Sequence, residues 1–170
     1  TSTQIGFLNN NLIAAFTPAA LTQLSSTQVA GFTSTQIGAL NVGALESLIS
    51  AAVFQGVPFG STYLLATQLQ GMTTTQVAAL PGFYLDQYLG SAPIHGLSTT
   101  QIDAITTTAI PALIVSPTYF IPGEGGLLLT TSQVQGLTTT QLNSLSPFDF
   151  IAQPALASEL TSTQVAGFTG

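Results

Sequence analysis

Residues 73–80 read Thr-Thr-Thr-Gln-Val-Ala-Ala-Leu and follow Met72. The segment begins with a hydroxyl side chain and has glutamine three residues on, which is the pattern of a helix capping box. The hydroxyl accepts from the backbone N–H of the third helical residue, and the glutamine reaches back to the backbone N–H of the cap. Met72 and Val77 fall on either side of the start, where two apolar groups form a hydrophobic staple. Leu80 closes the segment and stands immediately before the next possible cap. A helix confined between such signals has room for one to two turns.

The same stretch recurs along the chain. Thr/Ser-x-Thr/Ser-Gln followed by Ile, Val or Leu is found at Gln4, Gln28, Gln36, Gln76, Gln101, Gln133, Gln141 and Gln164, with gaps of 24, 8, 40, 25, 32, 8 and 23 residues. Every gap is a multiple of eight to within one residue, so the period is an octad. Degenerate copies such as NNNLIAAF (9–16) and TTTAIPAL (106–113) keep apolar residues at octad positions five and eight. A longer period lies above it. Residues 36–83 and 101–148 align at an offset of 65 with 17 of 48 positions identical, the mark of an internal duplication. The chain is read as one repeat domain, residues 1–170, of about 21 octads.

Each cap contributes about 1 kcal/mol, and helices this short do not survive alone in water. They must be stabilised by stacking on one another. The expected fold is therefore mainly α, a solenoid of very short capped helices. The alternative is a β-solenoid or a mixed fold with threonine-rich rungs. Strands call for period-two alternation, whereas the apolar positions here are spaced three and five.

Composition narrows the function. The 170 residues contain no Lys or Arg, six Asp and Glu, and one His, for a net charge of −6. Nucleic-acid binding would lack the cations that neutralise phosphates. Without cysteine there are no disulfides and no thiolate metal sites. No apolar run is long enough to span a bilayer, so membrane insertion is not expected, and any targeting segment would lie outside the numbered chain. His95 lies in a degenerate octad with no nucleophile elbow beside it, and reads as a surface or loop histidine. The carboxylates Glu46, Asp86, Asp103, Glu124, Asp149 and Glu159 are scattered. No catalytic, cofactor-binding or metal-ligating residue is assigned, and the chain is not read as an enzyme. The Gly-rich stretch 122–126 lacks the lysine of a phosphate loop and reads as a turn.

The octads TTTQVAAL, STTQIDAI and TTTQLNSL resemble the Leu-Thr-Thr-x-Gln-[Val/Ile]-x-x-Leu tandem repeats of large secreted bacterial surface proteins. That resemblance implies an adhesin-like or matrix-forming role at the cell surface or outside the cell, and carries over no catalytic residue. A surface of Thr, Ser, Gln and Gly with little charge also favours self-association. Both ends of the chain are full octads, TSTQIGFL and TSTQVAGF, and natural solenoids need polar caps to stay soluble. The expected function is thus a structural protein that polymerises end to end into an extracellular fibre, sheath or surface layer, with Ile5, Leu8 and Phe168 at the contact. Its partner is itself; a surface glycan or protein is left open. The alternative is an adhesin or binding module that uses the aromatic loops 54–63 and 119–128, with Phe54, Phe59, Tyr63, Tyr119 and Phe120 as anchors.

Overall fold

The structure, a computed structural model, describes residues 1–56, 62–89, 91–114 and 127–168. Helix makes up about 64% of these residues, and no strand occurs among them. The fold is mainly α. All but one of the described α-helices are four to six residues long, from Ser2–Gly6 at the start to Ser162–Ala166 at the end.

The helix starts are where the capping boxes put them. Thr73 caps Thr74–Ala79, Ser98 caps Thr99–Asp103 and Thr138 caps Thr139–Asn143, each with both halves of the box formed. In the first of these, the Thr73 N–H donates to Gln76 Oε1 at 2.7 Å, and the Gln76 N–H donates to Thr73 Oγ1 at 3.1 Å. The residue after each glutamine turns inward: Val77 and Ile102 are fully buried, and Leu142 nearly so.

Other starts depart from the rule: Asn9, Thr17 and Asn41 cap by side chain without a glutamine, and two keep only part of the box. Leu65 stands where the hydroxyl should be, so Ala66–Leu69 has only the glutamine half, the Leu65 N–H donating to Gln68 Oε1 at 2.7 Å. At Ser146 an aspartate replaces glutamine, and Asp149 Oδ2 accepts the Ser146 N–H at 2.6 Å and its hydroxyl at 2.9 Å.

One helix contradicts the expectation of one to two turns. Val42–Phe54 runs for 13 residues, capped by the Asn41 side chain on the Ala44 N–H at 2.9 Å. Its sequence VGALESLISAAVF crosses an octad boundary at Leu48–Ile49 with no hydroxyl-x-x-Gln to start a new helix. Nothing there competes with continuation, and Ala, Leu and Glu favour it. Phe54 consequently ends a helix and does not belong to a loop. Of the other proposed aromatic anchors, Phe59, Tyr119 and Phe120 lie outside the described residues. Tyr63 is half-buried, its hydroxyl 3.5 Å from Gln55 Oε1.

A single apolar cluster runs from Ile5 to Leu156 and contains position five of nearly every octad: Ile13, Leu21, Val29, Ile37, Leu45, Leu69, Val77 and onward. Full burial of such a side chain stabilises by about 1.5–3 kcal/mol, which outweighs one cap. Helices touch those several octads away in sequence: Pro18–Leu21 packs on Val42–Phe54, Asn10–Ala14 on Ser34–Ala39, and Thr99–Asp103 on Thr131–Gln135.

Candidate functional site

The repeated glutamine does more than cap. Its Oε1 faces its own helix start, which leaves the Nε2 amide free to point the other way. Gln76 Nε2 donates to Ile37 O at 3.0 Å and to Leu40 O at 2.6 Å, 39 and 36 residues earlier. Those two carbonyls belong to octad positions five and eight, at the C-terminal end of a helix, where the i+4 partner is missing and Ile37 O accepts only the Leu40 N–H at 3.2 Å besides. The side chain is 4% exposed. One glutamine therefore caps the start of one helix and the end of another.

The pattern holds for seven glutamines. Gln36 reaches Ile5 O and Leu8 O (2.9 and 2.7 Å); Gln68 reaches Val29 O and Phe32 O (both 2.8 Å). Gln101 reaches Leu69 O and Met72 O (2.9 and 2.7 Å), and Gln133 reaches Ile94 O and Leu97 O (2.8 and 2.9 Å). Gln141 holds Ile102 O and Ile105 O (2.9 and 2.7 Å), and Gln164 holds Val134 O and Leu137 O (2.9 and 2.8 Å). The pairings of Gln68 and Gln76 recur at Gln133 and Gln141 with donors and acceptors all shifted by 65 residues. Glutamate could cap as well, but its second oxygen would face two carbonyls. The side chain must donate at its far end, which accounts for glutamine at every one of these positions.

Glycine supplies the other half of the grip. A Cβ on Gly71 would run into the backbone of Ser34, at the start of the helix whose end Gln76 holds. Gly31 meets the backbone of Ser2 and Gly96 that of Ala66 in the same way, while Gly136 lies against the Thr99 side chain at 3.0 Å; each stands five residues before the glutamine on that same helix. The segment Gly-x-Thr/Ser-x-Thr-Gln thus spans an earlier helix from first turn to last.

Gln4 and Gln28 form their capping boxes, and among the described residues their Nε2 makes no further bond. Of the residues expected at an end-to-end contact, Ile5 belongs to the core and Leu8 is half-buried. Phe168 remains exposed, edge-on to Phe150 at 5.6 Å.

His95 is exposed. Among the described residues no three His, Cys, Asp or Glu groups gather as a metal site, and no helix is long and apolar enough to cross a membrane. Asp86 and Asp149, both largely buried, line a cleft of about 400 Å³ with Phe83, Pro111 and Phe148. A second cleft, about 680 Å³, lies between Thr22–Gln23 and Phe54–Gln55. Gln55 there repeats the octad device off-register, its Nε2 donating to Leu24 O at 2.7 Å and Thr22 O at 3.2 Å. Near the long helix, burial pushes the Tyr84 hydroxyl above the usual phenol range, with the negative charge of Glu46 and neighbouring Tyr88 adding to the effect.

No family model matches this sequence, and neither a curated protein nor a solved structure matches it significantly. The motif marks six of these seven glutamines but not Gln68, whose octad has Leu65 in place of the hydroxyl, and it does not reveal their second role. The signal was present in the choice of glutamine over glutamate at all eight motif positions.

Proposed function

We propose that this chain is a structural, non-enzymatic repeat protein, a solenoid of very short capped helices that assembles end to end into an extracellular fibre, sheath or surface layer. The observation that carries the reading is the amide-to-carbonyl stacking of seven glutamines, repeated from Gln36 to Gln164 without a charged group in the joint. Such a stack gains stability from each neighbour it adds, as repeat proteins do, and an edge that is not covered offers the next unit the same bonds. A contact between two different edges of identical copies propagates instead of closing.

The uncharged surface supports the same reading. Hydroxyls at octad positions two and three, such as Thr74 and Thr75 or Thr139 and Thr140, are exposed, and with a net charge of −6 over 170 residues little repulsion holds copies apart. The surface-protein repeats that these octads resemble are in keeping with a place outside the cell.

Size against concentration is the test. Sedimentation and negative-stain electron microscopy should give large linear species that grow with protein concentration. A monodisperse monomer at millimolar concentration would contradict the proposal. One observation favours a binding module as the second reading: Phe54, 71% exposed, beside the cleft at Thr22 and Gln23. In that case the monomer would persist, and Phe54→Ala would abolish capture of a partner without changing size.

A further inference from the structure

The cleft of about 400 Å³ lined by Phe83, Asp86, Pro111, Ala112, Phe148 and Asp149 falls where the glutamine pattern is interrupted. Gln68 and Gln76, in successive octads, each reach carbonyls 39 and 36 residues earlier, and Gln133 and Gln141 do the same. The octad after Gln141 carries Asp149 in the fourth position. The same separations lead from it to Ile110 and Leu113, in the helix Ile110–Ile114, and the residues between those two line the cleft. An aspartate is one methylene shorter than glutamine and, ionised, has no hydrogen to donate. It cannot make the bonds that Gln141 makes to Ile102 O and Ile105 O.

The internal duplication shows what this interruption leaves open. At the offset of 65 residues Asp149 corresponds to Tyr84, and Phe148 to Phe83. In the first block the Tyr84 ring packs against the core, close enough to the long helix to feel the charge of Glu46. In the second block a smaller carboxylate stands there, and the two equivalent phenylalanines, 45% and 66% exposed, line one cleft. Asp149 is only 8% exposed. Its Oδ2 takes the Ser146 N–H and hydroxyl, while its Oδ1 accepts no hydrogen bond among the described residues. A carboxylate so far removed from water is stabilised by a charged donor. Asp86, also buried, adds a second carboxyl to the lining, and the chain has no Lys or Arg of its own to set against them.

We propose that this cleft binds an organic cation from outside the chain, an alkylammonium or guanidinium group of the size of a basic side chain. The cation donates to Asp149 Oδ1 and is drawn further by the charge of Asp86. Its alkyl stem lies against Phe83 and Phe148, whose ring faces also attract positive charge. An anion would meet charge of its own sign. A divalent metal fits less well: calcium takes about six to eight oxygens, and among the described residues no three His, Cys, Asp or Glu groups gather as a metal site.

Titration calorimetry with n-butylguanidinium, against n-butylurea as its neutral counterpart, tests the site. The guanidinium should bind with saturation, and the urea about tenfold more weakly or less, because it brings no charge to the carboxylates. Asp149→Asn keeps an oxygen for the Ser146 cap, so circular dichroism should be unchanged while binding weakens by about tenfold or more. Phe148→Ala should weaken it by about two- to fivefold. Asp103→Asn, the same charge change at an exposed position outside the cleft lining, should leave affinity within about twofold. A Gly-Arg-Gly peptide and spermidine then separate the two sources of such a cation: the one that displaces butylguanidinium at lower concentration identifies a partner's basic side chain or a free polyamine. Equal binding of guanidinium and urea would overturn the proposal, as would full affinity in Asp149→Asn or no saturation of the wild type by about 100 mM. Calcium that binds more tightly than butylguanidinium and is lost in Asp149→Asn would overturn it in favour of a metal site.

Discussion

Residues 1–6 and 33–38 share one sequence, Thr-Ser-Thr-Gln-Ile-Gly, and fold into the same capped turn. Gln4 is exposed and makes capping bonds alone. Gln36 is 3% exposed, and its amide also holds the end of the helix that Gln4 begins. Identical local code thus gives identical helices, and stacking decides what the glutamine is worth. The glutamine of one segment meets the end of a second helix, and that of the other, among the described residues, does not.

The sharpest way to break that comparison is to remove the donor in both settings. Gln76→Glu should destabilise folding by about 3 kcal/mol or more, since it loses two bonds and buries a charge against two carbonyls. Gln4→Glu should cost less than about 0.5 kcal/mol at concentrations where the protein is monomeric. Urea unfolding at pH 7 would read the difference. Burial and the facing carbonyls raise the introduced carboxyl at position 76 above its unfolded pKa. The penalty is therefore full at neutral pH and fades as pH falls through the folded value toward about 4. Equal effects at the two positions would mean that the amide bonds carry no stability.

Glycine gives a second contrast of opposite signs. Gly71→Ala places a Cβ against the Ser34 backbone and should cost about 2–3 kcal/mol. Gly43 sits in the long helix with only Asn41 Oδ1 near its missing Cβ, at 3.7 Å. Gly43→Ala should stabilise by about 0.5–1 kcal/mol through helix propensity. Thermal melts of the two variants should shift in opposite directions.

Caps come next in size. Thr73→Ala should cost about 1 kcal/mol by leaving the Gln76 N–H without its acceptor. Thr74→Ala, at an exposed position one residue on, should change stability by less than about 0.5 kcal/mol.

The smallest effect concerns Tyr84. Its raised pKa means that the neutral phenol is favoured in the folded state. The stability it contributes is complete below the ordinary tyrosine pKa of about 10 and is lost as pH rises through the folded value. Tyr84→Phe should flatten the alkaline end of the stability profile slightly, as denaturant midpoints between pH 8 and 11 would show.

These contrasts also mark what the sequence made legible. Helix starts at Thr73, Ser98 and Thr138 could be read because a capping box is complete within four residues, and burial of Val77 followed from its place in the staple. The partners of Gln76 could not be read so, because a box is satisfied by glutamine or glutamate and says nothing of a carbonyl 36 or 39 residues earlier. Period alone misjudged Val42–Phe54: octad spacing of apolar residues persists there while the hydroxyl and glutamine that would divide the helix are missing. The close fit of Gly71 on Ser34 is likewise a tertiary fact, visible in the sequence only as glycine recurring at position seven.

Glutamine side-chain amides can be followed one by one by hydrogen exchange in NMR, which tests the amide-to-carbonyl contacts directly. The account predicts slow exchange for Gln36, Gln68, Gln76, Gln101, Gln133, Gln141 and Gln164, and solvent-like exchange for Gln4 and Gln28, whose amides make no such bond among the described residues. Uniform exchange across all nine would contradict the stacking role of the amide.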